Sequence, residues 1–165
     1  MRVVPIFIVM GVSGCGKTTM ARKLAAATGG DWLDADDFHS PANKAKMHAG
    51  IPLTDDERWP WLDKLNAELH AIARTGRIIF LACSALKQSY RDRLVKDLPQ
   101  ARFIYLKGSF DLIRDRLAHR INHFMPADLL ESQFATLEEP RDALILDISR
   151  TEEQMVEDFR QAINS

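Results

Sequence analysis

The sequence predicts an α/β fold in which helices flank a five-stranded parallel sheet. Short apolar runs alternate along the chain with longer amphipathic stretches, and three of these runs are nearly unbroken, as in strands that helices cover on both faces. The predicted strands span residues 4–10, 32–34, 78–82, 102–106 and 144–147. The predicted helices span residues 18–27, 60–74, 88–96, 110–120, 128–137 and 152–163.

Length and composition restrict the classes of function. The chain has 165 residues, 46% of them apolar and 27% charged, which suits one domain over 1–165 with a core of its own. The 22 basic and 23 acidic side chains give a formal charge of −1, so no overall positive field attracts nucleic acid or an anionic membrane. The 2 cysteines form no Cys-x-x-Cys pair, and no apolar run approaches the ~18 residues of a membrane span. We therefore expect a cytoplasmic protein without nucleic-acid or membrane partners.

A phosphate-binding loop follows the first predicted strand. Residues 11–18 read GVSGCGKT and match G-x-x-x-x-G-K-[ST] at every position, between a strand and a helix. In such a loop backbone N–H groups surround phosphate oxygens, Lys17 pairs with the β- and γ-phosphates, and the Thr18 hydroxyl ligates Mg²⁺. The helix N-terminus beside Cys15 is expected to lower its thiol pKa and to make the loop sensitive to oxidation. The predicted nucleotide site comprises Gly11, Ser13, Gly14, Cys15, Gly16, Lys17, Thr18 and Thr19.

An acidic run follows the second predicted strand, whereas the third strand ends without the acidic residue that usually helps to hold Mg²⁺. Asp34 and Asp36 alternate, so both face the carboxyl edge of the sheet, where ligands bind in parallel folds. One carboxylate would reach Mg²⁺ through water while the other accepts the proton of an acceptor hydroxyl. We assign Asp34 to the metal and Asp36 to the proton, although the spacing alone does not decide between them. An aspartate-rich turn or helix cap is the alternative interpretation.

The longest predicted helix is justified by an apolar stripe and limited by a proline. Apolar residues at helical spacing predict a face turned to the core: Trp61, Leu65, Leu69 and Ile72. Before it, Thr54 and Glu57 form the pattern of a capping box. Pro60 has no N–H to donate inside a helix, so we predict a separate short turn and then a helix that begins at Pro60.

Two stretches fit no strand or helix of the alternation. Residues 36–59 combine His, Asn, Lys, Gly, Pro and Arg and exceed a minimal crossover, which indicates a substrate-side insertion. Residues 120–127 separate two predicted helices and indicate a lid. A GTPase fits poorly, because residues 43–46 read NKAK without the aspartate of N-K-x-D and no strand offers D-x-x-G.

Several blocks of the sequence together resemble the gluconate kinase family. The blocks are MGVSGCGKT at 10–18, DADDFHSPAN at 34–43, GIPLTDDERWPWL at 50–62, CSALK at 83–87 and SQF at 132–134. The resemblance extends from residue 6 to about 148, with Glu57 standing where an aspartate is usual. It implies transfer of the ATP γ-phosphoryl group to the 6-hydroxyl of D-gluconate, with Mg²⁺, on the fold of nucleoside-monophosphate and shikimate kinases. Such relatives often pair, so a homodimer is an expectation, although the sequence leaves the oligomeric state open.

An acceptor that carries a carboxylate and several hydroxyls needs a forked cation and polar side chains. Arg58 is the first candidate for the carboxylate and Arg91 the second, because guanidinium binds carboxylate bidentately. His39, Asn43 and Lys46 are candidates for the hydroxyls. The alternative for each arginine is a solvated surface charge.

Two further arginines lie four residues apart on one helical face that leads into the predicted lid. The resemblance to related kinases implies that Arg116 faces adenine and that Arg120 faces the transferred phosphoryl group. Asp147 follows the last strand, where related folds place backbone against adenine. A basic helix end favoured by the helix dipole is the alternative.

Two other functions stay open from the residues alone. One is a kinase for another small polyol acid, such as a shikimate-like acceptor. The other is an ATP-binding regulatory module without catalysis. Asp34, Asp36 and Arg120 weigh against the module, because binding alone would need none of them.

Overall fold

Five parallel strands form the central sheet, in a computed structural model that describes residues 4–119 and 127–164. The strands are β1 (Ile6–Met10), β2 (Asp31–Asp34), β3 (Ile79–Ala82), β4 (Ala101–Lys107) and β5 (Leu144–Asp147). Their order across the sheet is β2-β3-β1-β4-β5, and every neighbouring pair is parallel. The predicted fold class is confirmed.

The described residues also form seven α-helices and one short 3-10 turn, Ala35–Phe38, which follows β2. The helices are α1 (Lys17–Thr28), α2 (Pro41–His48), α3 (Asp55–Ala73), α4 (Gln88–Leu94), α5 (Phe110–Ala118), α6 (Ala127–Thr136) and α7 (Glu152–Ile163). Six of the seven overlap a predicted helix, and α2 does not. None of these helices combines the length and the apolar content that crossing a bilayer requires.

The core has two layers because side chains of a strand alternate between its faces. In β1, Phe7 and Val9 pack with buried residues of α1, α5, α6 and α7. Ile6, Ile8 and Met10 point the other way and pack against α3 and α4. All five residues of β1 are buried, which explains why the sequence of this strand is a continuous apolar run.

The prediction that a helix begins at Pro60 is wrong, because α3 begins at Asp55 and runs through the proline. The Thr54 hydroxyl accepts from the Glu57 N–H at 3.2 Å, and the Glu57 carboxylate accepts from the Thr54 N–H at 2.8 Å. A proline inside a helix costs about 3 kcal/mol. Burial of an apolar side chain returns roughly 1.5–3 kcal/mol, and α3 buries four: Trp61, Leu62, Leu65 and Leu69.

The region 36–59 is folded into short elements. It contains most of the 3-10 turn, all of α2 and the first residues of α3. Helix α2 was not predicted from the sequence. It begins after Ser40, whose hydroxyl accepts from the Asn43 N–H at 3.1 Å. Pro41 lies in its first turn, where a proline is tolerated. Residues 120–126 of the predicted lid lie outside the described residues, and the single-domain and insertion boundaries stay predictions.

Removing the two capping boxes tests how the helices begin. Thr54→Ala and Thr151→Ala each remove a hydroxyl that accepts from the N–H three residues on, at 3.2 Å and 3.1 Å. We expect each substitution to lower the free energy of unfolding by about 1 kcal/mol in urea titrations. If Thr54→Ala left the stability unchanged while Thr151→Ala lowered it, α3 would not depend on its cap.

Candidate active site

The phosphate loop takes a path that its glycines permit. Gly11 has a φ of 150°, and a Cβ added there would lie 2.6 Å from the Cys15 Sγ. Gly14 has a φ of 84°, and a Cβ there would lie 2.7 Å from a Leu117 side-chain carbon. Larger residues at either position would meet both backbone strain and a clash. The Lys17 ammonium folds back over the loop and donates to the Val12 carbonyl at 3.1 Å.

A hydrogen bond joins the phosphate loop to the end of β2. The Thr18 hydroxyl donates to Asp34 Oδ2 at 3.1 Å, and Asp34 Oδ1 accepts from the Asp36 N–H at 2.9 Å. One carboxylate therefore fixes both the start of α1 and the turn that carries Asp36. A hydroxyl and a carboxylate oxygen in contact beside Lys17 are hard oxygen donors, and this set fits Mg²⁺ bound by few protein groups plus phosphates.

Asp36 lies in the 3-10 turn that follows β2. Loss of hydration raises its pKa, the charges of Asp34 and Asp37 raise it further, and Lys17 opposes the shift. Its side chain is nevertheless 65% exposed, so the carboxylate is accessible to a ligand. A carboxylate with a raised pKa and an open path is suited to accept a proton.

A buried histidine, His39, lies next to Asp36. His39 is 6% exposed and stacks on the Trp61 ring, with centroids 4.0 Å apart. Its Nε2 lies 3.9 Å from Asp36 Oδ1, and its Nδ1 lies 3.4 Å from the Asn43 side-chain nitrogen. Burial and the nearby cation of Arg58 lower the pKa of His39 to about 4, so the ring is neutral at pH 7.

The predicted acceptor residues of α2 meet the start of α3. The Asn43 amide donates to the Glu57 carbonyl at 3.1 Å, and the Lys46 ammonium lies 2.6 Å from the Glu57 carboxylate. That ammonium, with the capping bonds of Thr54, lowers the pKa of Glu57 to about 2. Asn43 is buried, whereas the Lys46 side chain is 41% exposed.

Arg58 lies in a cluster of two cations and one carboxylate. Its Nη1 donates to the Tyr90 hydroxyl at 2.9 Å and lies 3.6 Å from Asp55 Oδ1. The Tyr90 hydroxyl donates to the same Asp55 oxygen, and Lys87 Nζ lies 3.5 Å from the other. The cluster therefore has an excess positive charge. Sequence reasoning missed roles for Lys87 and Tyr90, and membership of Lys87 in the CSALK block was the available signal.

Arg91, the second candidate for the carboxylate, is buried, and its two terminal nitrogens are bonded within the protein, whereas its Nε has no hydrogen-bond partner among the described residues. It is 2% exposed, and its Nη1 donates to the carbonyls of Ala85 and Leu86 at 2.7 and 3.2 Å. Its Nη2 donates to the Gln88 side chain at 3.1 Å and to the Glu138 carbonyl at 2.8 Å. These bonds hold Arg91 against the segment after β3, whereas the Arg58 side chain is 24% exposed. Which of the two arginines binds a carboxylate stays a prediction.

A cavity of about 490 Å³ opens beside the phosphate loop. Arg116 lines it, and its Nη2 donates to the Ile148 carbonyl at the end of β5. The Asp147 carboxylate accepts from the N–H and hydroxyl of Ser149 at 2.9 and 2.7 Å, and the expectation that the backbone here lies against adenine stays a prediction. Arg120 lies outside the described residues. The walls of the cavity include Gly14, Cys15, Gly16, Thr19, Met20, Leu112, Asp115, Arg116, His119, Ile148, Arg150, Glu152 and Met155.

The expectation for Cys15 is wrong. Its side chain is 2% exposed, and burial raises its pKa although Lys17 and backbone N–H groups act in the opposite direction. Because desolvation outweighs the helix N-terminus, Cys15 is a buried neutral thiol. Its Sγ fills the space that a side chain at Gly11 would need. The expectation that Cys15 makes the loop sensitive to oxidation therefore loses its basis.

The fold and the site together define a phosphate-loop kinase that acts on a small molecule. A family model described as an AAA domain matches residues 6–144. The thermosensitive gluconokinase of Escherichia coli (strain K12) is 42% identical over 161 residues, covering 95% of this chain and 86% of the relative. The chain carries this domain and belongs to the gluconokinase family.

Solved structures agree with this family. A gluconokinase from Sinorhizobium meliloti 1021 superimposes with a TM-score of 0.85 at 38% identity, covering 99% of this chain and 97% of that one. A sugar kinase from Janibacter sp. HTCC2649 superimposes with a TM-score of 0.90 at 45% identity, covering 98% and 95%. The predicted family and the prediction of an enzyme are confirmed, so the alternative of a module without catalysis is set aside.

The neutral state of His39 predicts a pH dependence of stability. Because its pKa is about 4 in the folded protein and about 6.5 when unfolded, the unfolded chain takes up the proton first as pH falls. The folded state should therefore lose about 2–3 kcal/mol between pH 6.5 and pH 4 through this group. Urea titrations of wild type and His39→Gln should show this loss in the wild type only. An equal pH dependence in both proteins would contradict the assignment.

Proposed function

We propose that the protein transfers the γ-phosphoryl group of ATP to the 6-hydroxyl of D-gluconate, giving 6-phospho-D-gluconate and ADP in the cytoplasm. The observation that carries this proposal is the position of Asp36. Its carboxyl follows β2, is electrostatically coupled to Lys17 of the phosphate loop, and faces His39 of the proposed acceptor wall. A base at this position lies between a nucleotide and an acceptor.

The chemistry assigns the phosphate-loop residues to the donor. The loop N–H groups and Lys17 hold the phosphates, and Arg116 with the backbone at Ile148 borders the nucleoside. Thr18 and Asp34 would hold Mg²⁺, which when bound neutralises charge on the phosphates. Arg120, predicted to face the transferred phosphoryl group, completes the proposed set.

During transfer the acceptor oxygen forms a bond to the γ-phosphorus as the bond from that phosphorus to the β,γ-bridging oxygen breaks. Asp36 takes the proton of the acceptor hydroxyl, and ADP leaves with the electron pair of the broken bond. The raised pKa of Asp36, caused by loss of hydration and the neighbouring carboxylates, makes it a stronger base than an ordinary aspartate. Lys17 stabilises the charge that develops on the phosphates.

Arg58 is the proposed partner of the gluconate carboxylate, and Lys87 stands beside it. In the ligand-free protein Asp55 balances part of their charge. The guanidinium fork and the excess positive charge suit a second carboxylate. Lys46, with its ammonium partly exposed, offers donors to the acceptor hydroxyls, whereas buried His39 and Asn43 shape the wall and contact the acceptor from there.

A phosphotransfer assay with matched variants tests the proposed reaction. Purified protein with ATP and Mg²⁺ should release ADP far faster with gluconate than with shikimate, glycerate, glucose or nucleoside monophosphates. Lys17→Ala should abolish this rate. Asp36→Asn should lower kcat by about 10²–10⁴ while sparing ATP affinity, because only the proton acceptor is lost. Equal rates with all acceptors would refute the acceptor, and an unchanged kcat in Asp36→Asn would refute the base.

Arg58 has a matched control in Arg93. Both guanidinium groups lie over an aromatic ring, at 5.1 Å from Tyr90 and 5.2 Å from Trp59, and both pair with an aspartate. Arg58→Ala should raise the KM for gluconate about 10- to 100-fold, as expected for loss of charged hydrogen bonds. Arg93→Ala should leave this KM unchanged. Similar KM values in the two variants would place the carboxylate site elsewhere.

A further inference from the structure

One side chain of α6 makes two hydrogen bonds to the phosphate loop. Gln133 Oε1 accepts from the Ser13 N–H at 2.7 Å, and Gln133 Nε2 donates to Ser13 Oγ at 2.9 Å. The two residues are 120 positions apart in the sequence, and both bonds are partly buried. Because a backbone N–H can only donate, the amide oxygen must face it, and the orientation of the Gln133 side chain is thereby fixed.

The peptide unit that Gln133 holds is also bonded at its other end. No peptide bond among the described residues is cis, so the Val12 carbonyl and the Ser13 N–H point in opposite directions. The Val12 carbonyl accepts from the Lys17 ammonium at 3.1 Å and from the Cys15 N–H at 3.3 Å. Gln133 and Lys17 therefore lie on opposite sides of one peptide unit.

The direction of this peptide decides what the Lys17 ammonium meets. An ammonium has three N–H bonds, and among the described residues only the Val12 carbonyl accepts a hydrogen bond from it. Two N–H bonds remain for phosphate oxygens, which this lysine reaches at the β- and γ-positions in phosphate loops. If the peptide turned over, the Ser13 N–H would face the ammonium in place of a carbonyl, and the lysine would lose its support.

Helix α6 is fixed by contacts outside the phosphate loop. The ring of Phe134, which follows Gln133, meets Phe110 edge to face with centroids 5.5 Å apart. Beyond the end of the helix, the Glu138 N–H donates to the Leu86 carbonyl at 2.8 Å, and the Glu138 carbonyl accepts from Arg91 at 2.8 Å. The Gln133 side chain thus projects from a separately anchored element, so it can set the direction of the loop peptide.

We propose that Gln133 is a positioning residue: by holding the Ser13 N–H, it keeps the Val12 carbonyl turned toward the Lys17 ammonium and so directs that ammonium to the β- and γ-phosphates. The proposal rests on the proposed use of ATP. Gln133 acts on the phosphates through one peptide unit and one lysine, without touching the nucleotide itself. Its contribution to nucleotide binding therefore exists only while Lys17 is present.

A double-mutant cycle between Gln133 and Lys17 tests this route. Gln133→Met keeps the size of the side chain and removes both hydrogen bonds, so the affinity for a non-hydrolysable ATP analogue should fall about three- to tenfold. In a Lys17→Ala background the same substitution should change this affinity by less than about twofold, because the lysine that Gln133 positions is absent. Titration calorimetry of the full chain with Mg²⁺ and no acceptor measures the four affinities.

AMP provides a second measurement, because it lacks both phosphates that the lysine reaches. Its affinity should be equal in the wild type and in Gln133→Met, whereas general distortion of the loop would weaken AMP and the ATP analogue alike. Gln133→Asn keeps the amide but is one methylene shorter, and as a second variant it should reproduce the same pattern. Gln161→Met is the matched control, because Gln161 lies on α7 and contacts only Glu157 at 3.5 Å among the described side chains. It should bind both ligands as the wild type does.

The possible outcomes separate this role from the proposed reaction. Equal losses of affinity with and without Lys17, a parallel loss of AMP affinity, or no loss in either Gln133 variant would overturn the positioning role. Failure of the wild-type protein to bind the ATP analogue would instead refute the proposed donor. Absence of gluconate turnover would refute the proposed acceptor, since these titrations contain no acceptor.

Discussion

The parallel direction of all five strands is the constraint on which the site depends. Because β1 lies between β3 and β4, the phosphate loop leaves the sheet at its centre, and the carboxyl ends of the other strands meet along the same edge. Asp34 ends β2, Ile148 follows β5, and residues 85–87 follow β3. Short connections therefore suffice to bring residues from distant parts of the sequence to one cleft.

Features that depend on local sequence could be predicted. The apolar runs predicted the five strands, and the glycine spacing located the phosphate loop. The aspartates at 34 and 36 located the acidic turn after β2. Each of these predictions depends only on residues that are neighbours in the sequence. Pro60 and Cys15 show the opposite case. The four apolar side chains that α3 buries outweigh the cost of the proline, and the burial of the thiol outweighs the helix N-terminus. Neither balance can be judged without knowing what surrounds the residue.

The walls of the cleft were predictable only where residue chemistry was distinctive. Arg58 was a candidate because a guanidinium suits a carboxylate, but its partner Tyr90 lies 32 residues away and Gln133 lies 120 residues from Ser13. Neutral polar side chains carry no signal until the fold gives them partners. Arg91 had the right chemistry as well, and its burial against backbone carbonyls separates it from Arg58.

The contacts of Arg91 also bear on how the acceptor side can vary. Three of the four groups that accept hydrogen bonds from Arg91 are main-chain carbonyls, at Ala85, Leu86 and Glu138. The guanidinium therefore fixes the path of the backbone at these residues without contacting their side chains through hydrogen bonds. A main-chain carbonyl is present whatever residue occupies the position. The segments that Arg91 holds can therefore exchange their side chains over evolutionary time while their path stays fixed, and if the acceptor binds beside them as proposed, the substrate could change without a change of scaffold.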